Sequence, residues 1–479
     1  MAYPHFTVAA AKTISNMCLY VLSGRRSLLL EGRRKRGTYR NWSGDRRHRA
    51  DWHEPETEEA VAEVIRRSTS VRVVGSGHSF NDGLATTDAT ISLEHLSGVV
   101  SIDHQLRQAT VWAGTRLRDL TPVLLKEGLA FRSLASHDAQ SVAGILSTDV
   151  HGTGRLPAHL SDQVVSLRLV DGTGAVSEVG PDDDLFKAAV GGLGSVGVIT
   201  QVTVQCVDAF NLRQASGVKS RRWAEKHLEQ LLSQHDHVSF YAYPFTDLLH
   251  VHTWDHTDDR RSFLGARREA MNEAKAAVAA ATFGDAMAHF GKLPKTADRA
   301  MRMQAPSSRV LHSHEAFSRS QYHLHQELEI AVPHERVWTE LDQTLHLYEE
   351  MYRQRRLPFL LVEVRFSPAG HDRSFLGAGA ERATAWLCLC CNQSGAVDEY
   401  FESVEQWLGE ADARVHLGKW CETLDADDVA AMHGDRFKRF AEVRDEADPK
   451  GRFVNPFIER VLGPLRSRVD GPQRSREEV

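Results

Sequence analysis

The chain has 479 residues and a formal net charge of −6. That length exceeds one ordinary core and calls for two or three domains. A mildly acidic surface excludes a protein that binds nucleic acid or membrane over its whole surface, and no apolar run of about 18 residues is present to span a bilayer.

Residues 1–49 form an N-terminal basic extension. Its stretch "RRSLLLEGRRKRGTYRNWSGDRRHR" (25–49) reads as a solvated or partner-facing arm rather than a nucleic-acid patch. Before it, "AAAKTISNMCLYVLSGRR" is faintly amphipathic and lacks the basic start and cleavage site of a signal peptide, so it reads as a loosely packed helix. "PETEEAVAEVIRRST" (55–69) predicts a helix, acidic at its start and basic at its end, with Ala60, Val61, Val64 and Ile65 as its apolar stripe. "VRVVGSG" is a strand entering a loop. "TISLEHL", "VVSID" and "QATVWAG" are short strands, and "RLRDLTPVLLKEG" is a helix closed by Gly128. "SVAGILSTDVHGTG" reads as a second glycine-rich loop. "QVVSLRLVDGTGAVSEV" is a hairpin turning at Asp171-Gly172, and "DLFKAAVGGLGSVGVITQVTVQCV" is a helix, a glycine turn and a strand.

Residues 50–206 thus predict one α+β unit. A second covers 207–432. In it, 220–233 and 258–302 are helical, "LHQELEIAV" and "PFLLVEVRFSP" are strands, and the long helix "PHERVWTELDQTLHLYEEMYRQ" lies between them. Residues 433–463 carry a last helix and turn, and 464–479 predict a disordered tail. In "TAWLCLCCN" strand alternation places Cys388 and Cys390 on one face and Cys391 on the other. No paired CxxC motifs and no HExxH occur. Reduced thiols in a cytoplasmic protein, and no metal, are therefore expected.

The glycine loops carry the chemistry. "VRVVGSGHSFNDG" (71–83) is not a Rossmann fingerprint, because its third glycine is misplaced and a strand follows. What remains is a run of backbone N–H groups able to make an anion nest. A second such loop, "GILSTDVHGTG", stands some seventy residues on, and "GGLGSVGVIT" (191–200) offers close backbone approach to an adenine or ribose. Two loops in one domain suit a long diphosphate ligand.

The order and separation of these motifs resemble the flavoproteins of the vanillyl-alcohol-oxidase type. Within them the chain is similar to the sugar-1,4-lactone oxidoreductases (gulonolactone and arabinonolactone oxidases) over residues 39–463. "GSGHS" matches the family's pyrophosphate loop, "STDVHGTG" its S-T-G-T-H-G-T-G, and "LGSVGVITQVTVQ" its L-G-x-L-G-V-I-T-x-V-T. "EVRF", "HLGK" and "DPKGRFVNPFIERVLG" match its C-terminal half. The resemblance implies an α+β fold: a two-subdomain FAD-binding domain (50–206), an α+β substrate or cap domain (207–432), and a C-terminal segment returning to the flavin domain.

By that resemblance FAD lies along Gly75, Ser76, Gly77, His78 and Ser79, along Gly144, Ser147, Thr148, His151, Gly152 and Gly154, and along Gly197, Val198 and Ile199. His78 becomes its covalent tether, through the flavin 8α-methyl. Glu363 and Arg365, two apart on a buried strand, share one face and are implied to hold substrate hydroxyls. Lys419 is implied at the flavin N1–C2 edge, where a cation stabilises developing charge. His416 precedes it, with Leu417 in place of the family's Trp; a core role for His416 stays open. Ala135 stands where a Gly admits oxygen to the flavin, which implies a dehydrogenase using another acceptor. Ser136 bonds substrate or flavin, or only backbone. Asp149 stands where the family has Gly, so either it points away or cofactor binding is weakened.

The implied reaction moves a hydride from a secondary hydroxyl of an aldono-1,4-lactone to flavin N5, and the ketone enolises to an ascorbate-type ene-diol. The implied partners are a small sugar lactone or polyol, and oxygen or another electron acceptor. The alternatives are an alditol oxidase, which shares these motifs, and a flavin-binding protein without turnover.

Overall fold

The computed structural model describes residues 31–35, 37–262, 284–318, 325–355, 357–392, 395–409 and 411–465. The possible N-terminal helix, residues 263–283 of the helical stretch 258–302 and nearly all of the predicted tail lie outside them.

Two larger sheets build the half that carries the glycine loops, among the described residues. Strands Asp51–His53, Ala89–Ser92 and Val71–Val74 pair in parallel, with Ala89–Ser92 central. An antiparallel five-stranded sheet follows, in the order Val176–Val179, Val164–Val170, Val198–Gln205, Gln108–Trp112, Val99–Asp103. Helix Glu58–Arg67 starts where Thr57 Oγ1 accepts from Ala60 N at 3.1 Å, and its acidic first turn and basic last turn both suit the helix dipole. It buries Val61, Ala62, Val64 and Ile65.

The second half is built on one eight-stranded sheet. Its order is Ser307–His312, Asn211–Ser220, Leu248–Thr257, His237–Ala242, Leu360–Ser367, Thr384–Asn392, His325–Pro333, Arg414–Val415. Side chains alternate between its faces. Phe240, Val364, Leu387 and Ile330 are fully buried on one face, where Phe240 stacks on Trp338 of helix Val337–Gln354. The other face is polar: Tyr241, Glu363, Cys388 and Glu329 stand directly opposite one another across four strands.

The basic extension is not a free arm over its described part. Strands Arg33–Lys35, Thr38–Arg40 and Arg47–Arg49 form a small antiparallel sheet. Its aromatic residues Tyr39 and Trp42 are buried, so apolar anchoring outweighs charge repulsion among the arginines. The 433–463 segment lies against the flavin-loop half: Val71 N donates to Arg452 O at 2.7 Å, and Asn455 Nδ2 to Ala85 O at 2.8 Å.

Candidate active site

A long cleft runs between the glycine loops and the polar face of the large sheet.

Gly75, Ser76, Gly77, His78 and Ser79 border it. Gly77 has φ +69, and a Cβ there would collide with Tyr39 Oη, so only glycine fits. Trp42 stacks on His78, ring centroids 5.2 Å apart and 13° from parallel, and the His137 ring, tilted by 45°, has its centroid 5.4 Å from that of His78. The loop then crosses to the other half. Asn81 Nδ2 donates to Leu417 O at 2.7 Å and to Lys419 O at 2.8 Å.

The second glycine run begins as a helix, not a loop: Val142–Ser147, with Ser141 Oγ accepting from Gly144 N at 3.2 Å. A good cap and four buried apolar residues (Val142, Ala143, Ile145, Leu146) outweigh the glycine. Gly144, Ser147, Thr148 and His151 border the cleft, as do Ala135, Ser136, Gly197, Val198 and Ile199.

From the large sheet and the turn after it come Arg365, His416 and Lys419. Three expected residues do not border the cleft: Gly152, Gly154 and Glu363. The two glycines lie past the cleft, where Gly152 N donates to Ala158 O and Gly154 N to Phe366 O. Glu363 accepts from Tyr241 Oη at 3.2 Å, further along the sheet. Leu417 does not border the cleft either; it is buried in the core.

The shortest ion pair of the buried Arg365 is made two strands away rather than with its strand neighbour. Arg365 Nη2 donates to Glu329 Oε1, while Glu363 stays 4.0 Å from Arg365 Nε. Arg365 Nη1 also donates to His151 O at 3.0 Å. Glu329 is 1% exposed and borders the cleft. Burial alone would raise its carboxyl pKa, but the Arg365 guanidinium holds it well below the usual range. The next acid on the strand, Glu327, accepts from Lys419 Nζ and lies 2.8 Å from His325 Nε2. Burial opposes the charge on Lys419, and Glu327 restores it and raises the ammonium pKa. Two cations thus enter the cleft, each held by a buried carboxylate.

His151 is buried and stacked on Trp386 at 3.6 Å. Burial pushes its pKa down to about 3, so it is neutral. His416 is likewise pushed down to about 4 by burial. Its Nδ1 accepts from Gly418 N at 3.1 Å, so the proton of the neutral ring sits on Nε2. Glu329 Oε2 is buried without a hydrogen-bond partner, and His151 Nε2 has only Glu329 Oε1 near it, at 3.4 Å. Orphan polar atoms on residues bordering a cleft mark a place for a polar ligand. Close-approach glycines, consecutive loop N–H groups and these orphans fit FAD and a hydroxylated substrate.

A cleft of this kind, between glycine loops on a small-strand domain and a polar sheet, defines a two-domain FAD-binding oxidoreductase. A model of the FAD binding domain matches residues 53–180, and one of D-arabinono-1,4-lactone oxidase matches 202–461, more than half of the chain. The chain belongs to the D-arabinono-1,4-lactone oxidase family. It is 30% identical over 416 residues to an L-gulono-1,4-lactone dehydrogenase of Mycobacterium tuberculosis, covering 86% of this chain and 94% of the relative. It is 27% identical over 421 residues to an L-gulonolactone oxidase of Mus musculus, covering 85% and 93%. A solved structure of a solvent-stable cholesterol oxidase superposes with a TM-score of 0.70 at 17% identity, covering 89% of this chain and 97% of that one. At that identity the likeness concerns the fold alone.

Proposed function

We propose that this protein oxidises a secondary hydroxyl of an aldono-1,4-lactone to a ketone that enolises to an ascorbate-type ene-diol lactone. The observation that carries this reading is the Arg365–Glu329 pair beside Lys419–Glu327, facing the flavin loops across one cleft. Bound FAD supplies the two-electron acceptor for the hydride. Arg365 offers fixed donors to a lactone oxygen. Glu329 keeps one oxygen for a substrate hydroxyl, and its low pKa makes it an acceptor rather than a base. Lys419 brings a cation to where negative charge develops. His416 presents a donor at Nε2. Together these groups orient a small polyhydroxylated ring, which is most of what hydride transfer requires of a protein. The lactone-acting relatives support the substrate class.

His78 is proposed as the covalent tether. Its place on the first glycine loop, bordering the cleft and stacked on Trp42, supports this. Ala135 borders the cleft and is 8% exposed. Its methyl group supports a dehydrogenase that passes electrons to an acceptor other than oxygen. Cys206, Cys388, Cys390, Cys391 and Cys421 form no disulfide among the described residues, which supports a reducing, cytoplasmic setting. The test is anaerobic addition of lactones to the flavin-loaded protein, read as loss of its yellow colour.

A further inference from the structure

Asp149 stands at a position where a side chain is costly. Its φ is +50, and a Cβ added to Gly191 would come within 3.3 Å of its own Cβ. It does not border the cleft, although Thr148 and Val150 on either side do. Its carboxylate turns the other way, into a buried cluster drawn from both halves of the chain. His371 Nε2 lies 2.8 Å from Asp149 Oδ2, and His371 Nδ1 lies 2.8 Å from Asp162 Oδ1. Ser161 Oγ donates to Asp149 Oδ1 at 2.8 Å, and His159 Nδ1 lies 3.3 Å from the same oxygen. All four ionisable side chains are less than one-tenth exposed.

Asp149, His159 and His371 also have the composition of a metal site. Their geometry opposes it. The two imidazoles stack 3.7 Å apart and within 7° of parallel, so their in-plane lone pairs cannot converge on one ion. The cluster is instead a cation between two carboxylates.

We propose that His371 is a positioning residue: from the substrate half it takes up the charge that Asp149 brings to the flavin loop, and so holds residues 147–152 in place. The loop around His371 docks on the flavin half at two further points. Ser374 Oγ donates to Val190 O at 2.7 Å and Phe375 N to Lys187 O at 3.1 Å. The loop that Asp149 anchors in turn places the His151 carbonyl, which accepts from Arg365. His371 therefore reaches the substrate cation through Asp149, the loop and His151. Burial disfavours the imidazolium, but Asp149 and Asp162 outweigh it and push its pKa up to about 10. The kinetic half of the test below rests on the lactone reading; the flavin-content half does not.

The test uses three full-length variants expressed with flavin: His371→Gln, Asp149→Gly and the two combined. His371→Gln strands a buried carboxylate, so flavin per chain falls, and KM for the bleaching lactone rises by about tenfold or more while kcat per bound flavin falls less. The double variant removes the Asp149 charge and leaves only Asp162, whose Oδ2 still accepts from His159 N at 3.0 Å, so it returns to within about twofold of Asp149→Gly alone. A double variant as impaired as His371→Gln would overturn the proposal, because His371 would then act by packing. So would a His371→Gln protein with unchanged flavin content and KM. Should His371→Gln fail to fold, recovery of soluble, flavin-loaded double variant supports the proposal and its failure contradicts it. A stoichiometric metal in the purified wild type would also overturn it.

Discussion

Arg365 and Glu329 form a buried ion pair across the strand that separates theirs, and Glu363, two residues from Arg365 on its own strand, is left 4.0 Å away. The pair brings a fixed cation and an acceptor to one wall of the cleft.

This ranks three substitutions. Breaking a buried pair by removing one partner costs about 3–5 kcal/mol. Arg365→Ala should lower kcat/KM by about a hundredfold or more, and Glu329→Gln by about tenfold or more, both with flavin retained. Glu363→Gln should lower it less than Glu329→Gln. Steady-state kinetics on flavin-normalised protein decide the order, and a larger loss at Glu363 would restore the strand-neighbour pairing.

The proposed tether predicts that acid-precipitated wild-type protein keeps its yellow colour in the pellet. His78→Ala should release its flavin to the supernatant. A colourless wild-type pellet removes the covalent reading and leaves the rest of the site intact.

Ala135→Gly should speed reoxidation of the reduced flavin by air by about tenfold or more, equal to roughly 1.4 kcal/mol of barrier. Stopped-flow mixing with aerated buffer measures it. An unchanged rate means that the methyl does not gate oxygen.

His371 gives a pH signature. Its folded-state pKa is raised from 6.5 to about 10. A raised pKa contributes stability that is complete below the unfolded value and is lost as pH rises through the folded one. The stability of wild type over His371→Gln should therefore be largest near neutral pH and below, and shrink toward about pH 10. Denaturant unfolding across that range checks the sign, and a difference that grows with pH contradicts the charge assignment.

Much of the site was legible. The glycine loops, His78, Arg365, His416 and Lys419 each carry a local pattern, and all but Gly152 and Gly154 of the loop positions singled out border the cleft. Glu329 was missed although its signal was present: "ELEIAV" alternates acids with apolar residues just as "EVRF" alternates Glu363 and Arg365. What a sequence lacks is sheet order. Strand His325–Pro333 precedes strand Leu360–Ser367 by a long helix, yet only one strand lies between them in the sheet. The neighbour two positions along was visible, whereas the neighbour two strands away was not. The same holds for Trp42 against His78 and His371 against Asp149, contacts that only tertiary packing makes. The helix Val142–Ser147 was hidden for a local reason, because its short length and internal Gly144 read as loop.

The central claim is that this cleft oxidises aldono-1,4-lactones. The most direct measurement is the yellow absorbance of the flavin-loaded protein under anaerobic conditions, with gulono-, galactono- and arabinono-1,4-lactone added in turn, then xylitol and sorbitol. The account predicts bleaching by at least one lactone and none by the alditols. Bleaching by alditols alone, or no bleaching by any lactone in protein that demonstrably carries flavin, would contradict it.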